Sequence, residues 1–299
     1  MKNKQPLISI VMPVYNAGDF LHQTIKSILN QTHQNWELIA IDDHSKDNSL
    51  EILKNYAKKD KRIKILTQKR NLGVSSTTNK GIKHAKSTWI ARMDADDIMH
   101  KNRLKIQLKT LQSHPSVVVI GSQCKLIDQQ GKRIGVKNFP TCPQDIHNML
   151  FWACPVQQPS IMVNASKLPK NFIWYNPKTK TGEEINFLLR ISKFGSIVNS
   201  KQTLLEYRLH DNNLALNQNQ KKVFYNLFKT RLRAIFSGQY QPSLASLILG
   251  LSELVIVTLL PQRAIAPAFH FIRGMRNLKI RLNLFPNFPN LQTIHLTTN

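Results

Sequence analysis

Acidic residues are scarce in this chain of 299 residues: 17 Asp and Glu stand against 42 Lys and Arg, a formal net charge of +25. A protein so short of carboxylates draws anions, whether nucleotides, nucleic acid or an acidic membrane face, and charge alone does not choose among them. The lysines are spread along the chain, so a generally lysine-rich surface accounts for the charge equally well. Cysteine is scarcer still. Cys124, Cys142 and Cys154 are odd in number and show no CxxC spacing, which indicates neither a disulfide framework nor a zinc site and suits a reducing cytosol. Multiple long apolar spans are also missing, and an apolar fraction of 41% is too low for a polytopic membrane protein. Basic Met1 to Lys4 precede apolar Leu7 to Val14, but Pro13 and Asn16 break that run too soon for a signal peptide.

What is present, over the first hundred residues, is a regular alternation of short apolar runs and helical periods. Ile8 to Met12, Trp36 to Ile41, Ile63 to Leu66 and Trp89 to Met93 have the length and β-branched content of strands. Between them lie helices: one capped by Asp19 with Phe20, Leu21, Ile25, Ile28 and Leu29 on its apolar face, one carrying Leu50, Leu53 and Ala57, and one over Ser75 to Ala85. Such alternation implies an α/β fold with a mostly parallel sheet between helices, with ligands bound beyond the carboxyl ends of the strands. The polar clusters Tyr15-Asn16, Asp42-Asp43, Asn71 and Asp94-Ala95-Asp96-Asp97 all fall there. From residue 115 to 215 the pattern is looser, with strands at Val117 to Ile120, Ser160 to Val163 and Leu204 to Leu209 and a helix over Glu183 to Phe194.

The scarce acids are concentrated. Three carboxylates in four residues at Asp94 to Asp97 repel one another unless a cation screens them, and a hard Mg²⁺ or Mn²⁺ ion suits such oxygens while leaving sites for phosphate oxygens. Capping of a following helix over His100 to Leu111 is the plainer use of an acid there, although it needs only one. Asp43 beside Asp42 is suited to accept a nucleobase N–H, with Ser45 or Asp47 available to cap the next helix.

Past Lys221 the composition shifts. Ten Lys or Arg and one acid, Glu253, occupy residues 221 to 281. Leu244 to Leu260 is apolar except near Glu253, which argues against a span and suits a helix lying in an anionic headgroup layer or packing on the core. Asn283 to Asn299 is polar and is expected to fray.

Ile8-Ser9-Ile10-Val11-Met12-Pro13-Val14-Tyr15-Asn16, Ser27 to Thr32, Trp36 to Ile39, Asp42 to Ser45, Asn71-Leu72-Gly73 and Asp94 to Asp97 follow one another in the order and spacing of the family 2 glycosyltransferases. The resemblance spans residues 6 to 210. It implies the GT-A fold, a nucleotide-sugar donor (UDP-sugar favoured) and inversion at the anomeric carbon. It further implies that Pro13 and Tyr15 flank the nucleobase and Asp43 accepts its N–H. Asn71 would lie near the nucleotide, Asp94 near the ribose or metal, and Asp96 would be the principal metal ligand. Thr78 stands where relatives often carry Arg, a contact that Arg70 could supply. Glu183-Glu184 resembles the family's acidic pair, with Glu184 as the base that deprotonates the acceptor hydroxyl, although first-turn acids also suit a helix dipole. Tyr207-Arg208-Leu209-His210 resembles the family's closing motif, with His210 as a further metal ligand and Arg208 as a diphosphate contact.

The domain division expected is a catalytic domain at 1–215, with a nucleotide-sugar half at 1–115 and an acceptor half at 116–215. A helical, basic, membrane-associating extension at 216–299 completes it. Absence of Gln-x-x-Arg-Trp favours single addition over polymerisation. The expected protein is a metal-dependent transferase at the cytoplasmic face of the cell membrane, acting on a glycan or lipid-linked acceptor of a surface polysaccharide. The alternatives are a basic nucleic-acid binder, for which no recognition motif is present, and a GT-A scaffold without catalysis.

Overall fold

The computed structural model describes residues 5–177, 181–210 and 219–261, and three short strands at 275–276, 279–281 and 293–295. Most of the tail from residue 283 onward therefore lies outside the described residues. In chain order the elements of the first half are β1 (Ile8–Val14), α1 (Gly18–Leu29), β2 (Trp36–Asp42), α2 (Ser49–Lys59), β3 (Ile63–Thr67), α3 (Gly73–Lys83), β4 (Trp89–Arg92), β5 (Ile98–Met99) and α4 (Arg103–Ser113). The second half has β6 (Val117–Ile127), β7 (Arg133–Lys137), α5 (Pro143–Met149), β8 (Met162–Asn164), α6 (Glu183–Ile191), β9 (Ser196–Arg208), α7 (Gln220–Phe236) and α8 (Leu244–Leu259).

β3, β2, β1 and β4 run parallel side by side, each register one residue to one. Beyond β4 the sheet turns mixed: β8 pairs antiparallel with β4 and β6, β7 antiparallel with β6, and β9 parallel with β6 on its other edge. β5 pairs antiparallel with β9, which brings the chain after the acidic cluster alongside the end of β9.

The parallel strands read as apolar runs because both faces are covered. Ile8, Ile10 and Met12 point to one side, where Leu21, Ile25 and Ile28 of α1 and Leu104 and Leu108 of α4 pack. Val11, Ile39 and Ile41 point to the other, into a cluster containing Ile185, Phe187 and Leu188 of α6 and Phe224 and Phe228 of α7. Helices α7 and α8 thus pack against this core.

Several expected boundaries move. α1 starts at Gly18 on Ala17, and Asp19 sits in its first turn without capping it. α4 starts at Arg103, not His100, because β5 intervenes. Asp97 therefore does not cap α4. β9 is 13 residues long, far beyond the expected Leu204 to Leu209, since its first half is polar. β7 and α5 were not expected at all; both are short and only partly buried.

Candidate functional site

The carboxyl ends of β1, β2 and β4 lie side by side, and their loops form one wall. After β1, Tyr15 is half exposed, at 49%, and offers a ring face to a ligand. Asn16 follows with φ of 49°, a conformation its side chain stabilises by accepting the Lys46 N–H at 2.7 Å. Pro13 is part of β1, in register with Ile41.

After β2, Asp43 is 3% exposed and its carboxylate is heavily engaged. Oδ1 accepts from Gln68 Nε2 at 2.8 Å and the Leu72 N–H at 2.9 Å, and Oδ2 from the Gly73 N–H at 2.8 Å. A carboxylate accepts about four hydrogen bonds, so roughly one place remains for a base N–H. The same bonds explain the Asn71-Leu72-Gly73 turn: Asp43 gathers its amides, and Gly73 supplies the positive φ of 80°. Asn71 and Arg70 are exposed beside it.

After β4 comes the acidic loop. Carboxylate oxygens of Asp94, Asp96 and Asp97 lie within 4.8 Å of one another. Three buried guanidiniums hold the loop from behind. Arg92, at the end of β4, pairs with Asp94 Oδ1 at 2.8 Å. Arg103 donates to the Arg92 carbonyl at 2.8 Å. Arg208 donates through Nε to the Asp96 carbonyl at 2.8 Å, and its backbone N–H reaches Asp97 Oδ1 at 2.9 Å. From α1, the Thr24 hydroxyl, fully buried, lies 2.9 Å from the Ala95 carbonyl and 2.8 Å from the Asp97 carbonyl. Burial and mutual repulsion push the Asp94 carboxyl up and the Asp97 carboxyl well above the usual carboxylate range, with Arg92 opposing the shift at Asp94.

Arg208 holds the loop rather than facing a ligand. Its side chain is 0% exposed and also donates to the carbonyls of Asp128 and Gln129 and to Gln23 Oε1. The expected diphosphate contact has no open guanidinium here to make it. His210 does join the site, with Nε2 at 2.8 Å from Asp96 Oδ2. Phe20 of α1 holds both residues of the closing motif, its ring 4.9 Å from that of His210 and 4.8 Å from the Arg208 guanidinium carbon.

Whether these residues suit a divalent cation can be tested on the loop itself. Asp97 Oδ2 is buried with no hydrogen-bond partner, and its carboxylate lies within 4.8 Å of those of Asp94 and Asp96. Three clustered hard oxygens beside an imidazole nitrogen fit Mg²⁺ or Mn²⁺.

Glu183 and Glu184 lie in the first turn of α6. Gly182 precedes them with φ of 79°, a left-handed conformation that favours glycine at this helix start. Burial, then the neighbouring Glu184, pushes the Glu183 carboxyl up to about 7 while Arg92 pulls it down. The charge of Arg92 acts on Asp94, Glu183 and Glu184, and the Tyr175 hydroxyl sits beside it. Arg92 therefore links the two acidic clusters. Sequence reasoning missed it; the available signal was one arginine in an otherwise apolar strand, two residues before Asp94.

Residues 9–166 match the family model described as glycosyl transferase family 2. An uncharacterised glycosyltransferase of Haemophilus influenzae is 30% identical over 232 residues, 73% of this chain and 72% of that one. The putative teichuronic acid biosynthesis glycosyltransferase TuaG of Bacillus subtilis is 28% identical over 73% of this chain and 85% of its own length. An uncharacterised Rickettsia bellii relative is longer, and the chain spans 35% of it. Among solved structures, S. aureus TarS 1-349 in complex with UDP-GlcNAc superposes with a TM-score of 0.61 at 18% identity, over 75% of this chain and 66% of that one. The mannosyltransferase PcManGT of Pyrobaculum calidifontis, in complex with GDP-Man and Mn²⁺, gives 0.56 at 13% identity over 90% and 86%.

Proposed function

The chain belongs to glycosyl transferase family 2 and has the GT-A fold, and from that premise we propose that it transfers a sugar, with inversion, from a nucleoside-diphosphate donor to a hydroxyl of a glycan or lipid-linked acceptor in surface-polysaccharide synthesis. UDP-sugar is the favoured donor, and the work is done at the anionic inner face of the cell membrane. The observation that carries this is the acidic loop: three carboxylates within 4.8 Å, fixed by buried arginines at the same strand ends as Tyr15 and Asp43. The relatives named for teichuronic acid synthesis and the neighbours bound to UDP-GlcNAc and GDP-Man support the substrate class.

Tyr15 and Pro13 flank the base, and Asp43 both accepts its N–H and fixes the Asn71 turn. Asp94 lies towards the ribose. A divalent cation held by Asp96 with Asp94 and His210 would stabilise charge on the departing diphosphate. Glu184 removes the proton of the acceptor hydroxyl as that oxygen bonds to the anomeric carbon. The bond from that carbon to the donor's phosphate oxygen breaks, and the nucleoside diphosphate leaves. Arg92 holds Asp94 on one side and balances the carboxylates of α6 on the other. The chain divides into a catalytic domain at 1–215 and an extension at 216–299, whose helices α7 and α8 pack against the core of the first.

Titration calorimetry with UDP-, GDP- and dTDP-sugars, with and without Mn²⁺, tests the proposal together with a turnover assay. One donor should bind more tightly with the metal and be consumed. Failure of every donor and every free diphosphate to bind would remove it.

A further inference from the structure

No helix among the described residues is long and apolar enough to cross a membrane, yet α8 is the most apolar of the described helices and it is mounted the wrong way round for a soluble protein. Its buried residues are Ser246, Gly250, Glu253 and Val257, at helical spacing i, i+4, i+7 and i+11. Its exposed residues include Leu244 at 74%, Ile248 at 60%, Leu251 at 51%, Val255 at 56% and Leu259 at 78%. A surface helix ordinarily buries such a stripe and shows its polar one.

The inversion is built in. A Cβ at Gly250 would come 2.4 Å from Phe151 Cε1, so the small-residue side is the only one that can approach the Phe151 ring so closely. Ser243 fixes the helix start, its side chain accepting the Ser246 N–H. The apolar face is consequently held outward by packing on the catalytic core, next to the α5 and α7 residues that share that cluster.

The border of this face has a particular chemistry. Lys221 Nζ donates to the Thr258 carbonyl at 3.4 Å, and the Tyr225 hydroxyl lies 3.2 Å from Thr258 Oγ1. These two contacts align the start of α7 with the end of α8. Beyond these contacts the exposed side of α7 carries Lys222 and Phe236, with Lys229 and Arg233 at the rim of a cleft towards α6, and the whole helix holds no acid. An apolar strip edged by lysine, arginine and tyrosine matches the boundary between acyl chains and negatively charged headgroups, where amphipathic side chains reach from one layer to the other. A second protein surface of ordinary composition would not call for a border of one charge.

We propose that the outward face of α8, with the basic side of α7, docks this chain on an anionic lipid bilayer without spanning it. The proposal rests on the membrane part of the function given above and names the element that would perform it; it requires nothing of the acidic loop.

Cosedimentation of the full chain with vesicles tests it. Vesicles containing phosphatidylglycerol should capture the protein, pure phosphatidylcholine vesicles should capture much less, and capture should fall as salt is raised. The double variant Ile248→Glu, Val255→Glu places charge in the centre of the face without touching the buried stripe, and should weaken capture about tenfold or more. Lys222→Gln with Lys229→Gln should weaken it several-fold and reduce its salt dependence. Wild type that ignores anionic vesicles overturns the proposal. So does capture unchanged in the double variant, or a wild-type dimer in sedimentation that the double variant converts to monomer, which would assign the face to a second copy. Donor turnover on a soluble acceptor, measured on the same samples, should be unaltered by these surface changes. If turnover is absent while vesicles still capture the chain, the transferase reading fails and the docking surface stands.

Discussion

Two acidic clusters share Arg92 as a neighbour, and similar carboxylates have been given different surroundings. Asp94, Asp96 and Asp97 sit on a loop that Arg92, Arg103, Arg208 and Thr24 hold in place from behind. Glu183 and Glu184 sit on the first turn of a helix, where Arg92 is the neighbouring cation whose charge pulls the Glu183 carboxyl down. The first arrangement packs three carboxylates within 4.8 Å of one another and leaves Asp97 Oδ2 without a partner, which suits a cation. The second leaves a carboxyl pushed up to about 7, which suits a group that takes and returns a proton near neutral pH. Placement behind the carboxylate decides its task.

Asp96→Asn should break the comparison most severely, because it removes the central charge of the loop and the partner of His210. We expect turnover to fall at least about 1,000-fold, read as kcat/KM at saturating Mn²⁺. Glu184→Gln should lower kcat by about 100- to 10,000-fold, with binding of the nucleoside diphosphate intact by calorimetry. Unchanged turnover there would take Glu184 out of the mechanism. Should Glu183→Gln instead cause the larger loss, the group pushed up to about 7 is the base.

Arg92→Met tests the residue shared by both clusters. Residues that orient metal-binding groups are typically worth 10- to 100-fold, so both metal affinity and kcat should fall by about that much, and Arg92→Lys should restore part of each. A loss confined to thermal stability would show that Arg92 only supports β4.

The smallest effect concerns stability. The folded Glu183 carboxyl holds its proton more tightly than the unfolded one, whose ordinary value is 4.5. A raised carboxyl pKa costs the folded state stability as pH rises from about 4.5 to about 7, after which the cost is constant. Glu183→Gln should therefore raise Tm at about pH 8 and leave it nearly unchanged at about pH 4; a gain of equal size at both would assign it to packing.

The two halves of the fold were not equally legible in the sequence. β1, β2, β3 and β4 were readable because parallel strands covered on both faces become continuous apolar runs, and their ends located Tyr15, Asp43, Asn71 and Asp94 to Asp97 together. β7 and α5 were not, since short half-buried elements carry little periodic signal. Arg208 showed the limit in another way: the sequence supplies a fork of donors but not their acceptors, and here the acceptors are backbone carbonyls of the chain itself. In α8 the apolar residues were plain, while the direction they face depended on Gly250 meeting Phe151, a contact about 100 residues distant in sequence that no local pattern reveals.

Calorimetric titration of the nucleoside diphosphate that wild type binds most tightly, in the presence of Mn²⁺, tests the division of labour between the two clusters most directly. Glu184→Gln should bind it as wild type does, while Asp96→Asn should bind it no better with Mn²⁺ than without. The opposite pattern, with Asp96→Asn keeping the metal-dependent gain and Glu184→Gln losing it, would contradict the assignment of the loop to the cation and of α6 to the proton.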